Sequence, residues 1–261
     1  MQLNLKKFLI GLVLLGYCHI TQAGDKLVVE HIANAGVKIS SGQHSVLIDA
    51  LFGPHSYFNS LDDKEFSTLS KQGADIAMAT HAHSDHFSAK RTSAFLAQNP
   101  SAIFIGTPEM QEPLAGSTAG RQVLTPTLDD FQTREYSHNK VKVTVLNFPH
   151  MAPHQTQAMN YAFLVEINGW KVLHVGDGDV NGDIIRGLKL REMNIDLALI
   201  HDLFPVRKKD SYKTLIKQMN IKKVAFVHMT DDKAAPLASW LKENLPDATM
   251  LVTDYERVVL R

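Results

Sequence analysis

The sequence predicts an α/β protein in which β-sheets pack on each other and helices cover the outside. Three observations support this fold class: β-branched apolar strands recur along the chain, they predominate in the first quarter, and amphipathic helical patterns separate the later ones. No Gly/Ser-rich, Pro-rich or charged linker divides the 261 residues. We therefore expect one domain behind a short N-terminal segment.

That N-terminal segment, residues 1–23, is typical of a secretory signal peptide. Two lysines precede an apolar run at 8–15, and small residues allow cleavage after Ala23. The run is shorter than the roughly 18–20 apolar residues of a membrane span. A bulky residue before Cys18 disfavours lipid attachment. We therefore expect a domain of residues 24–261 in the periplasm or secreted, with no membrane span.

The regular elements follow in order. Residues 27–39 and 46–51 have the composition of strands paired around residues 40–42. Residues 88–98 form a helical pattern that stops at an Asn-Pro pair, and residues 211–219 carry apolar side chains at i, i+3, i+4 and i+7. A third helix is predicted over 235–245. These helices lie between later strands, as the fold class requires.

Five apolar strands end on residue types that bind metal ions. They are 45–48 before Asp49, 76–80 before a cluster at 81–86, 141–149 before His150, 170–176 before Asp177, and 223–227 before His228. Strands of this composition pack inside a sheet, and at their ends side chains distant in sequence can converge. Five such pairings predict one shared site.

The densest group of these residues is Thr80-His81-Ala82-His83-Ser84-Asp85-His86. A helix would point His81 and His83 about 200° apart. An extended segment can place His81, His83 and Asp85 on one side, and His86 then turns away towards a second metal. The alternative is a polar loop that happens to be rich in histidine, but thirteen histidines in 261 residues seldom produce this spacing. The segment therefore predicts a metal site.

Composition limits the ligands and partners. Cys18 is the only cysteine and falls in the predicted signal peptide, so the mature chain has no thiolate ligands. Histidine and aspartate ligands suit zinc, manganese or iron. The chain carries 27 basic and 27 acidic residues, and loss of two leader lysines leaves 25 against 27. A net charge of −2 (25 − 27) gives no electrostatic case for nucleic-acid binding. The expected partner is a small-molecule substrate.

The residues and motifs described so far resemble the metallo-β-lactamase fold hydrolases over residues 27–255. The resemblance implies an αββα sandwich with the metal site at the edge between the two sheets. Phrases at 33–39, 47–52 and 174–177 look most like the branch that includes ascorbate-phosphate lactonase and the N-acyl-phosphatidylethanolamine phospholipases D.

The resemblance also implies two divalent metal ions, with zinc preferred and manganese or iron as alternatives. The implied ligands are His81, His83 and His150 for one ion, and Asp85, His86 and His228 for the other, with Asp177 bridging. Asp49 would orient a ligand histidine through its other ring nitrogen. Asp85 and Asp177 are the catalytic candidates, because either carboxylate could hold or accept a proton from the attacking hydroxide.

Several polar residues near these strand ends keep more than one interpretation. His154 rivals His150 as third ligand, although it follows Pro153 in a predicted loop and is also a candidate for substrate contact. His174 lies inside a strand, where a buried, hydrogen-bonded histidine is expected rather than a ligand. Asp179 fits a metal contact, a substrate contact or a turn.

Two further places have an open role. His201 and Asp202 follow the apolar strand 197–200 and are expected to form a pocket wall. His55, on a loop soon after Asp49, is a candidate for substrate contact.

Together these features predict a periplasmic metal-dependent hydrolase of an ester, lactone or phosphodiester bond, with a hydroxide held by the metals as nucleophile. Two alternatives stay open: a non-catalytic metal-holding binding or scaffold protein on the same fold, and a β-lactam hydrolase. The complete ligand set disfavours the scaffold, because degenerate members of the family usually lose ligands. The sequence does not determine the oligomeric state.

Overall fold

The computed structural model describes residues 25–116, 122–151, 158–202 and 211–261. Within these ranges two seven-stranded sheets pack face to face, and helices cover both outer faces. The predicted αββα sandwich is therefore confirmed. The predicted signal peptide and His154 lie outside the described residues. Among the described helices, none has both the length and the apolar character that crossing a membrane requires.

The first sheet is formed mainly by the N-terminal half of the chain. Its strands are β1 (Leu27–Ala33), β2 (Gly36–Ser41), β3 (His44–Ile48), β4 (Ile76–Met78), β5 (Ile103–Ile105), β6 (Val123–Leu124) and, from the C-terminus, β14 (Arg257–Leu260). Their order is β14-β1-β2-β3-β4-β5-β6. From β14 to β3 the neighbours are antiparallel, whereas β3 to β6 run parallel.

The second sheet is formed by the C-terminal half. Its strands are β7 (Thr133–His138), β8 (Val141–Asn147), β9 (Tyr161–Ile167), β10 (Trp170–His174), β11 (Leu197–His201), β12 (Lys223–Val227) and β13 (Thr249–Met250). Their order is β13-β12-β11-β10-β9-β8-β7. From β7 to β10 the neighbours are antiparallel, and β10 to β13 run parallel. The parallel part holds three of the strands that carry or support the site.

Helices cover the outer face of each sheet, and the apolar side of each helix packs against that face. The helices on the first sheet are α1 (Asp63–Gln72), α2 (Ala89–Gln98) and α3 (Gln111–Ala115), and those on the second are α4 (Gly182–Gly187), α5 (Tyr212–Met219) and α6 (Asp231–Asn244). The predictions for α2 and α5 are confirmed, and Ser88 caps α2 by accepting from the Arg91 N–H. Helix α6 starts four residues before the predicted 235 and contains Pro236.

The early strands differ from the prediction at two points, and one is that β3 covers His44–Ile48 and not 46–51. Residues 27–39, expected as one strand, form the β1–β2 hairpin with a turn at Asn34, whose φ is 51°. Asparagine tolerates this left-handed conformation better than most residues. At Gly36 a Cβ would lie 2.8 Å from the carbonyl oxygens of Ala33 and Asp49, so only glycine fits there. The turn brings Asn34 to the end of the sandwich where the candidate ligands lie.

Candidate metal centre

The seven predicted ligands come together at one edge of the sandwich, where strands of both sheets end. Three groups have their ligand atoms within 4.8 Å of one another: His81, His83 and His150; His81, His86 and Asp177; and Asp85, His86 and His228. We call the first group the first cluster and the third the second cluster. They coincide with the two ligand sets that the resemblance implied, and the middle group places Asp177 between them.

The first cluster consists of imidazoles. His81 Nε2 lies 2.9 Å from His83 Nδ1, and the His150 ring centroid lies 5.0 Å from those of both histidines. Burial, reinforced by His86, holds the pKa of His81 well below its ordinary value, so its ring is neutral. His150 Nδ1 lies 3.1 Å from the Met151 carbonyl oxygen, to which an N–H at that position donates. Neutral imidazole is the form that binds a metal ion.

The second cluster combines a carboxylate with two imidazoles. Asp85 Oδ2 lies 3.2 Å from His228 Nε2 and 3.4 Å from His86 Nε2. Burial raises the pKa of Asp85, but the neighbouring imidazoles of His228 and His86 outweigh this and hold it well below its usual range. Burial lowers the pKa of His228, but Asp177, Asp202 and Asp85 outweigh burial and raise it to about 10. The surrounding carboxylates therefore favour positive charge at this cluster.

Asp177 lies between the two clusters. Its Oδ2 is 3.8 Å from His150 Nε2 of the first cluster and 3.6 Å from His228 Nε2 of the second, and its Oδ1 is 3.6 Å from His86 Nε2. Burial raises the pKa of Asp177, yet His228, His86 and His81 hold it well below its usual range. This is the position of a carboxylate shared between two cations.

Two buried atoms test whether the residues fit metal ions. His86 Nε2 and Asp177 Oδ1 make no hydrogen bond among the described residues, although both are buried. Buried polar atoms are normally hydrogen-bonded, so such a pair of orphans within one group needs an explanation. Coordination of a divalent cation satisfies both, and imidazole with carboxylate is a donor set for zinc, manganese or iron. The residues therefore fit the metals that the fold implies.

Asp49 forms hydrogen bonds that support both clusters, a role that the resemblance implied for one ligand histidine. Its Oδ1 accepts from the Thr80 N–H at 2.7 Å, and its Oδ2 accepts from the Thr80 hydroxyl and from His86 Nδ1, each at 2.8 Å. The Thr80 hydroxyl in turn lies 3.1 Å from His81 Nδ1. Because Nδ1 of His86 is held by Asp49, its Nε2 is the ring nitrogen that faces the cluster. Asp49 holds a left-handed φ of 52° to do this.

Two asparagines also hold the site, and neither role was predicted from the sequence. Asn34 donates from Nδ2 to the Asp85 carbonyl at 3.1 Å and to Asp85 Oδ2 at 3.3 Å, and its own carbonyl accepts from the His228 N–H. Asn160 donates to the carbonyls of Phe148 and Val175 and accepts from the Asp177 N–H, all at 3.1 Å. The Asn-Ala-Gly turn at 34–36 was a usable signal for the first. No sequence pattern marked the second.

His174 is the buried, hydrogen-bonded histidine that the sequence predicted. Its Nε2 donates to the Ala35 carbonyl at 2.9 Å, and its Nδ1 accepts from the Gly176 N–H at 3.1 Å. Both ring nitrogens are therefore used, and His174 takes no part in any of the three ligand groups. Gly176 is required because its φ is 57° and a Cβ would lie 2.5 Å from Thr80 Oγ1.

His55 shapes the loop that borders the second cluster. Its Nδ1 lies 3.2 Å from the Tyr57 amide nitrogen and 3.4 Å from that of Phe58, which donate to it. The Phe58 ring then packs 4.8 Å from the His228 ring, while Tyr57 is 79% exposed. His55 is absent from the three ligand groups found among the described residues.

The other open candidates lie beside the centre. Asp179 accepts from Asn181 at 3.0 Å, donates its N–H to the Pro149 carbonyl, and is absent from the three ligand groups found among the described residues. His201 is buried, and burial lowers its pKa to about 4. Asp202 is also buried, with Oδ1 3.8 Å from His228 Nδ1. Asp202 thus lies behind a predicted ligand, a closer relation to the site than the pocket wall expected.

The model of the beta-lactamase superfamily domain matches residues 28–228, a span that includes both clusters. The fold is similar to that of Igni18, a metallo hydrolase from Ignicoccus hospitalis, with a TM-score of 0.63 and 13% identity over 90% of this chain and 99% of that one. It is also similar to the metallo-beta-lactamase fold protein YhfI from Bacillus subtilis, with a TM-score of 0.60 and 14% identity over 90% of this chain and 99% of that one.

A third similar structure is the isothiocyanate hydrolase from Delia radicum gut bacteria. It gives a TM-score of 0.60 and 13% identity over 88% of this chain and 98% of that one. No curated protein matches the sequence. At these identities the structural likeness concerns the fold.

Proposed function

The chain belongs to the beta-lactamase superfamily, and on that premise we propose that it is a hydrolase that uses two divalent metal ions to cleave ester, lactone or phosphodiester bonds. The observation that carries the proposal is the position of Asp177 between two adjoining three-ligand clusters. Zinc is the proposed ion, with manganese or iron as alternatives of the same donor preference.

The proposed ligands are those of the two clusters with Asp177 bridging. When bound, a pair of divalent ions would lower the pKa of water from 15.7 towards about 7 and polarise the scissile oxygen. The protein's own carboxylates would then position the attacking water. The pKa values of Asp85 and Asp177 lie well below their usual range, so both are ionised and accept hydrogen bonds. As weak bases they are better suited to orienting the water than to keeping its proton.

The supporting residues keep this arrangement fixed. Asp49 and Asn34 each hold a member of the second cluster through hydrogen bonds, so its ligands need little reorganisation during the reaction. The loop with Tyr57 and Phe58 borders the same cluster and would contact the organic part of a substrate. The resemblance to the lactonase and phospholipase D branch supports lactones and phosphodiesters as the first substrates to test.

The test uses the purified chain with its metals loaded, stripped by a chelator, and restored with zinc. Phosphodiester, lactone, carboxylic ester and β-lactam substrates are assayed in each state. Turnover of at least one of the first three, lost on chelation and regained with zinc, supports the proposal. A protein that holds two ions yet hydrolyses none of them would refute it and favour the metal-holding scaffold. Turnover of the β-lactam alone would favour a β-lactam hydrolase.

We also propose that the protein acts in the periplasm after removal of residues 1–23. The apolar run at 8–15 behind two lysines supports this localisation. Intact-mass measurement of protein from a periplasmic extract tests it. A chain beginning at or near Gly24 is expected, and a chain beginning with a lipid-modified Cys18 would contradict it.

A further inference from the structure

Strand register places Asp202 beside His228. β11 and β12 are parallel neighbours, and His201 pairs with Val227 at their ends. The next residue on each strand is therefore Asp202 and His228, and the Asp202 N–H donates to the Val227 carbonyl at 3.0 Å. His228 adopts a left-handed φ of 66° there. This backbone geometry fixes the two side chains next to each other without any help from a ligand.

The two ring nitrogens of His228 face different partners. Nε2 points at the cluster, 3.2 Å from Asp85 Oδ2 and 3.6 Å from Asp177 Oδ2. Nδ1 points the other way, 3.8 Å from Asp202 Oδ1. The Asp202 side chain is only 4% exposed, and its Oδ1 makes no hydrogen bond among the described residues. A small side-chain rotation therefore converts this ion-pair separation into a hydrogen bond.

We propose that Asp202 is a positioning residue for the second metal cluster, one that accepts a hydrogen bond from the Nδ1–H of His228. This inference rests on the proposed metal binding. The hydrogen bond would fix the ring orientation and the tautomer, so that the lone pair of Nε2 faces the ion, and the carboxylate would increase the basicity of that nitrogen. Asp49 already does this for His86, with Oδ2 at 2.8 Å from Nδ1.

Two histidines of the first cluster, His81 and His150, have neutral groups at their other ring nitrogen. Behind His81 lies the Thr80 hydroxyl, and behind His150 lies the Met151 carbonyl, both neutral acceptors. Both histidines of the second cluster thus have a carboxylate behind them, Asp49 for His86 and Asp202 for His228. Loss of Asp202 should therefore weaken one ion and spare the other.

A purely structural role for Asp202 would be an ion pair with Lys233 of α6. Lys233 Nζ lies 3.8 Å from Asp202 Oδ2, but its side chain is 50% exposed. An ion pair with one solvated partner contributes little to folding stability. Burial of the Asp202 carboxylate costs more than such a pair returns. His228 is the buried partner that accounts for the position of Asp202.

The test compares Asp202→Asn with the matched change Asp196→Asn at the opposite end of β11. Asp196 is also a buried aspartate, but it accepts from the Lys171 N–H at 2.8 Å and from Lys222 at 2.7 Å, away from the ligand groups. Zinc is titrated into the metal-free full chain against a chromophoric chelator. In Asp202→Asn we expect the second zinc to bind about 10–100-fold more weakly, with the first unchanged. Asp196→Asn should bind both ions as the wild type does.

Two zinc ions bound equally well by wild type and Asp202→Asn would overturn the inference and leave the proposed function standing. A wild type that binds no zinc would overturn the proposed function itself. If Asp202→Asn does not fold, nitrogen NMR of the zinc-loaded wild type decides, because the inference requires a protonated Nδ1 and a zinc-bound Nε2 on His228. Zinc on Nδ1 would overturn it.

Discussion

Neutralising Asp177 without changing its shape should separate the two metal positions. Asp177→Asn keeps the size of the side chain but replaces an anionic oxygen ligand with a neutral amide, a weak ligand for divalent cations. The three histidines of the first cluster and the three residues of the second are untouched. We expect the protein to keep one ion and to lose most of its affinity for the other.

The expected size follows from the distances around the carboxylate. Its oxygens lie 3.6–3.8 Å from the flanking ring nitrogens of His86, His150 and His228. A unit charge about 4 Å from another contributes about 4 kcal/mol at an effective dielectric constant of about 20. Loss of this energy corresponds to a roughly thousandfold decrease in the affinity for the less tightly held ion. The rate of hydrolysis should fall by at least about a hundredfold. Loss of a residue that only supports a ligand costs up to about that much, and Asp177 is proposed as a ligand itself.

Elemental analysis after gel filtration measures the metal content, and the same samples are assayed for hydrolysis. His174→Ala is the control, since His174 lies three residues earlier, is buried, and bonds only backbone groups of Ala35 and Gly176. That variant should lose about 1–3 kcal/mol of stability for each group left unpaired, yet keep both ions. Loss of metal from His174→Ala, with retention by Asp177→Asn, would refute the assignment of the bridge.

Three further changes test the groups around the clusters. Asp49→Ala leaves three buried donors without an acceptor, and at about 1 kcal/mol each or more, urea unfolding of the metal-free protein should show a loss of about 3 kcal/mol or more. Asn160→Ala removes three hydrogen bonds around the Asp177 loop and should lower the affinity for the less tightly held ion in a zinc titration. In the metal-free protein the pKa of His228 is raised from 6.5 to about 10, so its protonated form stabilises the fold fully below pH 6.5, and this contribution is lost as the pH rises through about 10. His228→Asn should remove that part of the pH dependence from a series of urea unfolding curves, and an unchanged profile would contradict the raised pKa.

The grouping of the candidate ligands at one edge was predictable because each of their segments follows an apolar strand in the sequence. A β-branched run followed by histidine or aspartate is a local pattern, and parallel strands bring their carboxyl ends to one edge. That logic located His150, Asp177 and His228 although they come from different strands. The same local pattern also occurs at the end of β11, and it does not reveal that Asp202 there lies next to a ligand histidine.

Asn34, Asn160 and Asp202 were not predicted as supporting residues because their roles arise from pairing between distant segments. Asp202 meets His228 only through the register of β11 and β12, and Asn34 meets Asp85 only after the β1–β2 turn forms. Asn160 donates to backbone carbonyls at two strand ends, and backbone acceptors produce no recognisable pattern in the sequence. Helix α1 was also missed, although its capping box of Asp62 and Glu65 was a readable start signal.

Each proposed ion would have ligands from both sheets, so the site depends on how the two sheets pack against each other. The histidines at 81–86 follow β4 of the first sheet, while His150 and His228 follow strands of the second. Hydrogen bonds between the sheets already fix these ends relative to each other, from the Tyr161 N–H to the Thr80 carbonyl at 2.8 Å and from the His228 N–H to the Asn34 carbonyl at 3.1 Å. The protein thus supplies the alignment through its own backbone. A metal ion would then add its binding free energy to a sandwich whose two halves are already in register, which couples metal affinity to folding stability.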